Sequence, residues 1–196
     1  ADEKVTKLNA LGDGGLIVSG NYQNIGTFGS FTHQSLGMSD CFAAFLSSSG
    51  VWGNVFSFGG LGDDELSGLI VLGDEKMMVS GNFMGSFKFG NREINSNGKR
   101  DGFIALFNEY GSCLSLQNYG GSGSDNIKSI SHNDGQVHFV GSFSNQIALG
   151  PKTFSTRGVR DSYVALFDTD TKVVLDAIQL GGSGEDVAIH TDSAFS

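Results

Sequence analysis

Gly120-Gly121-Ser122-Gly123-Ser124-Asp125 decides how this chain is read. A close variant, Gly59-Gly60-Leu61-Gly62-Asp63-Asp64, stands sixty-one residues earlier, and Gly181-Gly182-Ser183-Gly184-Glu185-Asp186 stands sixty-one residues later. Self-similarity at a fixed period is the signature of a repeat architecture, and it constrains the fold before any local assignment does. The spacing divides the chain into three copies of one unit, 3–63, 64–124 and 125–185, with a remnant at 186–196.

Working outward from the glycine cluster, each copy opens on a short alternating apolar run: Val5 to Leu11, Leu66 to Leu72, Ile127 to Ser131. Alternation of this kind predicts a strand. A turn follows at Asp13-Gly14, Asp74-Glu75 and Asp134-Gly135; Asp-Gly suits a tight hairpin turn in which both central positions take positive φ. The returning strand is Leu16-Ile17-Val18-Ser19-Gly20, matched by Met77-Met78-Val79-Ser80-Gly81 and Val137-His138-Phe139-Val140-Gly141. A variable, hairpin-like excursion then runs from Tyr22, Phe83 or Phe143 to Gly37, Gly98 or Gly158.

A third strand begins after an aspartate in every copy, at Asp40, Asp101 and Asp161. Phe42–Leu46, Phe103–Phe107 and Tyr163–Phe167 are apolar at every position, so a strand built from them has to be covered on both faces. A turn then leads to a fourth strand that ends at Phe58, Tyr119 or Leu180. Copy three loses a residue at the first turn and gains one at the last, as a meander of hairpins tolerates. The expected fold is therefore all-β: three tandem four-stranded antiparallel blade-like repeats of the β-propeller type.

The ordered landmarks Gly-Gly-x-Gly-x-Asp, Val-Ser-Gly-Asn-Phe, Phe-Gly and Asp-Gly-Phe-Ile-Ala-Leu-Phe resemble the SBBP-type β-propeller repeats of secreted and cell-surface bacterial proteins. The resemblance spans essentially the whole chain. It implies a propeller-type fold and an extracellular or cell-surface location, and it implies no particular activity. Copy two departs from the pattern at Leu72-Gly73 and Met77-Met78, and copy three at Lys172, where glycine is usual.

Composition narrows the function classes. Thirty Gly, one Pro and sixteen Phe describe a turn-dense protein packed on aromatic rings. A net charge of −9 with twelve Lys and Arg argues against nucleic acid or an anionic membrane surface as partner, since both need clustered cations. No apolar run approaches the ~18 residues of a membrane helix. No signal-peptide pattern opens the sequence, and Ala1-Asp2-Glu3 fits the end a signal peptidase leaves as well as an arbitrary boundary. Cys41 and Cys113 occupy non-equivalent places in the repeat, which leaves two buried free thiols or one bridge between repeats. No Asn-x-Ser/Thr sequon occurs.

No catalytic constellation is present: no His-Glu-x-x-His, no Gly-x-Ser-x-Gly, no phosphate loop. His33, His132, His138 and His190 fall at four unrelated repeat positions. Trp52 stands where the other copies have Cys113 and Val174, a packing position first and a sugar-stacking one second. In an up-and-down meander the first and third strands begin at the same rim, so Asp64, Asp125 and Asp186 should share a face with Asp40, Asp101 and Asp161. Carboxylates that cap backbone N–H groups explain this recurrence, and so, less simply, would an isolated calcium. A stacked calcium roll is excluded by the sixty-one-residue spacing.

No residue is assigned a catalytic, cofactor-binding or metal-ligating role, and no enzyme activity and no cofactor is expected. Three units are too few to close a propeller, which takes four to eight. The sequence therefore points to a non-catalytic extracellular structural or assembly protein, a segment of a larger array, oligomer or fibre. Self-association would run through the terminal repeats, with 186–196 supplying the first strand of a further unit or an exchanged strand. The alternative is a ligand-binding propeller module recognising carbohydrate or protein.

Overall fold

The structure, a computed structural model, describes residues 3–73, 75–133 and 136–188. The fold is all-β. Eighteen strands run in order: β1 (Glu3–Ala10), β2 (Leu16–Tyr22), β3 (Ile25–Phe28), β4 (Phe31–Gln34), β5 (Asp40–Leu46), β6 (Trp52–Gly60), β7 (Glu65–Leu72), β8 (Lys76–Phe83) and β9 (Ser86–Phe89). They continue as β10 (Arg92–Asn95), β11 (Asp101–Asn108), β12 (Cys113–Tyr119), β13 (Asn126–Asn133), β14 (Gln136–Phe143), β15 (Gln146–Leu149), β16 (Lys152–Ser155), β17 (Asp161–Asp168) and β18 (Val173–Leu180).

The named strands pair antiparallel, and no sheet closes on itself. Two sheets have four strands, in the orders β7-β8-β11-β12 and β13-β14-β17-β18. The first sheet differs from the expected four-stranded form. It has six strands, β1-β2-β5-β6-β9-β10, because the hairpin β9–β10 adds to the edge of β6 through the pairs Gly59↔Lys88 and Gly60↔Phe87. The hairpins β3–β4 and β15–β16 stand as two-stranded sheets.

Local chemistry explains the turns only in part. At the first, Gly14 has φ +82° while Asp13 does not share the positive φ, and the Asp13 carboxylate accepts the Gly15 N–H at 2.9 Å. The connection is a loop over residues 11–15 closed by Leu11 N–H to Gly15 O, not a two-residue turn. At the second, Glu75 carries the positive φ, at +59°; Asp74 lies outside the described residues, as do Asp134 and Gly135 of the third.

The sheets stack face on face. β1 and β2 meet β7, and β7, β8 and β11 meet β13, so the opening strand of each sheet packs on its predecessor. One apolar cluster fills the first interface, with Ile17, Cys41, Ala43 and Phe58 against Leu66, Val79, Phe87 and Phe103. A second fills the next, with Met78, Ile104, Leu106 and Tyr119 against Ile127, Phe139, Ile147 and Tyr163. A third, smaller cluster lies on the outer face of the first sheet, where Phe28 of β3 covers Phe42 at 4.5 Å between ring centroids. Rings join across elements as well: Phe58 stacks on Phe89 at 4.5 Å, and Phe87 meets Phe103 at 4.2 Å. Such pairs add about 0.5–1.5 kcal/mol each to the burial of their area.

The apolar runs of the third strands fare differently according to position. Asp101–Phe107 of β11 is buried at every residue, because a sheet lies on each side. In β17 Val164 and Leu166 are only half-buried while Tyr163, Ala165 and Phe167 are enclosed. The expectation of cover on both faces fails there because no sheet lies beyond the third among the described residues. The predicted further strand at 186–196 is likewise absent over 186–188, and 189–196 fall outside the described residues.

Ile104, buried between two sheets, tests this arrangement. Ile104→Asp leaves an unpaired charge there and should cost roughly 3–5 kcal/mol, enough to keep the chain from folding. Urea denaturation of the purified variant checks it; a midpoint near the parent's would place β11 at an edge.

Candidate functional site

The recurrent glycines and aspartates meet at the rim where the first and third strands begin. Before the third strand, a loop runs parallel to the glycine cluster, with bridges Ser39↔Asp63, Arg100↔Ser124 and Arg160↔Glu185. Each bridge is held by a recurring bond: Asp64 N–H to Ser39 O at 3.0 Å, Asp125 N–H to Arg100 O at 2.7 Å, and Asp186 N–H to Arg160 O at 2.8 Å.

All six aspartates do the same local job. Each carboxylate accepts the backbone N–H four residues before it. Asp40 takes Leu36 at 3.0 Å, Asp101 takes Asn97 at 2.8 Å and Asp161 takes Arg157 at 3.2 Å. Asp64 takes Gly60 at 2.6 Å, Asp125 takes Gly121 at 2.6 Å and Asp186 takes Gly182 at 2.8 Å. A carboxylate closing its own loop in this way supplies an acceptor that the loop backbone lacks. The capping role anticipated from sequence is thus present at every copy.

The glycines answer to close approach. A Cβ on Gly59 or Gly181 would lie 2.6 or 2.5 Å from the Asp40 or Asp161 carboxyl carbon, and one on Gly120 would overlap Asp101. The second glycine makes room for the next hairpin: a Cβ on Gly60 would overlap the Ser86 carbonyl, and one on Gly121 the Gln146 carbonyl. The pair Gly-Gly therefore admits a side chain from one direction and a backbone from the other.

A further element of the joint was not read from the sequence. Asn21 of β2 reaches the next sheet, donating to Asp64 O at 2.8 Å and accepting Leu66 N–H at 3.1 Å. Asn82 of β8 repeats this with Ile127 O at 3.2 Å and Ile127 N–H at 2.7 Å. Its signal was the asparagine of Val-Ser-Gly-Asn, a polar residue in an otherwise buried strand. In the third copy Ser142 replaces it and bonds Asn126 instead.

Burial dominates the electrostatics here. Asp40, Asp64, Asp101 and Asp125 are all enclosed, and one oxygen each of Asp40, Asp64, Asp101 and Asp161 has no hydrogen-bond partner. Desolvation pushes Asp64 up to about 7, with the charge of neighbouring Asp40 adding to the rise. It raises Asp40, Asp101 and Asp125 in the same direction, Asp125 also feeling Asp101. A neutral carboxyl with an idle oxygen costs far less in such a place than a charged one.

Two of the clefts beside these elements are lined by charged side chains. One, of about 390 Å³, lies at the first joint between Glu3, Asn21, Ser39, Asp63 and Asp64. The larger, of about 580 Å³, lies at the opposite rim among the turns, with Lys76, Arg92, His132, Asp170 and Lys172 around it. Cys113 borders this second cleft as a free, half-buried thiol, and desolvation pushes it up to about 11. Cys41 is free and enclosed, with its thiol raised well above the usual range, again by desolvation. The inter-repeat bridge is therefore not formed, and neither sulfur is a thiolate at neutral pH.

The remaining candidates stay apart. His33, His132 and His138 are half-buried on β4, β13 and β14, and His190 lies outside the described residues. Trp52 packs edge-on against Phe28 at 6.0 Å and borders neither cleft described above. No family model matches the chain, and a search of curated proteins finds no match either.

Two outcomes follow for the carboxylates. Asp64 has a folded-state value of about 7 against about 3.9 unfolded, so between the two the folded chain holds a proton that the unfolded chain lacks. Stability should rise, by roughly 1–3 kcal/mol, as pH falls from about 8 to about 5, and Asp64→Asn should flatten that slope. Denaturant midpoints across the interval measure it; a midpoint that falls with pH throughout refutes it. Among the described residues no group of three or more His, Cys, Asp or Glu is placed to hold a metal. The melting curve should accordingly be the same in excess chelator and in added calcium, and a calcium-specific rise in melting temperature would contradict this.

Proposed function

We propose that the chain is a non-catalytic, propeller-type array of three blade-like units, 3–63, 64–124 and 125–185, which serves as a structural and assembly element outside the cell or at its surface. The observation that carries this reading is the pairing of unsatisfied ends. β1 presents Val5 and Leu8 to solvent, and β18 presents Leu180, at positions where the internal interfaces enclose Leu66 and Ile127, Leu69 and Ile130, and Phe58 and Tyr119. Apolar surface of this kind is worth about 25 cal/mol per Å² on burial, so head-to-tail contact is favoured until association entropy is offset. A contact between unlike ends closes into a ring or extends as a filament, according to the rotation it imposes.

The resemblance to SBBP-type repeats supports the extracellular setting. The recurrent glycines and aspartates support a structural role, since each has a local task in the joint and none is left over for chemistry. A ligand-binding module is the second reading, and the turn-rim cleft with Lys76, Arg92 and Lys172 favours it, being of a size that takes small ligands.

Light scattering and electron microscopy of the 196-residue chain over a concentration series test the first reading. The expected result is a concentration-dependent oligomer or filament. A monomer that persists at high concentration overturns assembly and leaves the cleft as the better lead.

A further inference from the structure

Among the described residues, no hairpin lies across the glycine cluster at the end of β18. At the two internal joints a hairpin from the following unit lies across the cluster: the Ser86 carbonyl sits over Gly60 and the Gln146 carbonyl over Gly121. The Met84 and Ser144 carbonyls sit likewise over Gly62 and Gly123. At the third cluster an added Cβ on Gly182 or on Gly184 would meet no atom within 4 Å. Asp125 also takes a second bond, from the Ser144 N–H at 2.9 Å, whereas Asp186 takes its Gly182 bond and has no such counterpart among the described residues.

A hairpin of the same kind as those at the internal joints is formed by β3 and β4. β3 is the first-unit equivalent of β9 and β15, with Ile25 opening it as Ser86 and Gln146 open theirs. Outside its pairing with β4, the backbone of β3 makes one bond among the described residues, Thr27 N–H to the Glu3 carboxylate at 3.1 Å. β9, by contrast, pairs both with β10 and with Gly59-Gly60. The flanking apolar residues match: Leu66 and Ile127 are 2% and 0% exposed where Val5 is 58%, and Phe58 and Tyr119 are 2% and 7% where Leu180 is 50%.

We infer that the cluster Gly181–Asp186 is a docking slot for the β3–β4 hairpin of a second copy of this chain. This inference rests on the assembly reading and adds to it the contact that makes it. The Ile25 carbonyl of one copy takes the place over Gly182 that the Ser86 carbonyl takes over Gly60. Three substitutions temper the fit. Gly26 of β3 stands where β9 and β15 bury Phe87 and Ile147. His138 stands where Ile17 and Met78 face the internal interfaces, and Ser142 replaces the clamping Asn21 and Asn82. The contact between copies is thereby weaker than the joints inside one chain.

Gly182→Val and Ile25→Glu test the slot from its two sides. The side-chain atoms that Gly182→Val adds begin in open space and Ile25 is exposed, so each variant should melt with the parent. Each alone should associate at least about tenfold more weakly in light scattering. A mixture of the two should recover a dimer and stop there, since one variant keeps its hairpin and the other its slot. A parent that associates while Gly182→Val associates equally well overturns the slot and leaves assembly standing. The slot is also overturned if both variants are impaired and their mixture stays monomeric. A parent that is monomeric throughout overturns slot and assembly together. If Gly182→Val does not fold, Ile25→Glu decides: association like the parent's refutes the slot.

Discussion

The structure depends on how closely two backbones approach at Gly60 and Gly121. A carbonyl from the next hairpin occupies the space in which any other residue would carry its Cβ. Nothing larger than a hydrogen atom can stand there without separating the sheets, so the glycine is fixed by volume and not by its freedom of backbone rotation. Once the approach is made, the neighbouring bonds fall into place. The aspartate four residues on caps the glycine N–H, the parallel bridge forms behind it, and Asn21 or Asn82 ties the next sheet's first strand. The sheets are held face to face by apolar area, but their register is set at this rim.

That division explains what could be read in the sequence. Strands, their antiparallel order and the covered strand β11 follow from alternation and from the wholly apolar run Phe103–Phe107, because burial acts on each residue where it stands. The joint was visible only as a recurring word, Gly-Gly-x-Gly-x-Asp. Its grammar needs a partner segment from the following unit, Ser86 or Gln146, which no local pattern connects to it. The addition of β9 to β6 was hidden for the same reason. Two backbone pairs at Gly59 and Gly60 leave no side-chain signature. The turn-rim cleft is assembled from residues of β8, β10, β13 and the β17–β18 turn, so no short motif announces it.

The third unit shows how position overrides sequence. Tyr163–Phe167 is as apolar as Phe103–Phe107, yet Val164 and Leu166 are half open and Ile104 and Leu106 are enclosed. The difference lies wholly in what packs on the outer side. The substitutions of His138 for Met78 and Ser142 for Asn82 fall on this same outer face, where His138 is half-buried and Ser142 is enclosed and bonded to Asn126.

The buried carboxylates raise the last question, which is why aspartate and not asparagine closes these loops. Either side chain could accept the N–H four residues back. An amide would bring two further donors into a buried place where the second oxygen of Asp40, Asp64, Asp101 and Asp161 already has no partner. Each unpaired donor would cost about 1–3 kcal/mol. A carboxyl instead carries at most one proton and can shed its charge by taking it, which is what the raised value of Asp64 expresses. Aspartate is thus the side chain with the fewest groups to satisfy where burial leaves few partners. The acidic surface of the chain and its acidic joints have different origins: the first is solvated charge, the second a set of compact acceptors, and at Asp40, Asp64, Asp101 and Asp125 burial disfavours the charged form.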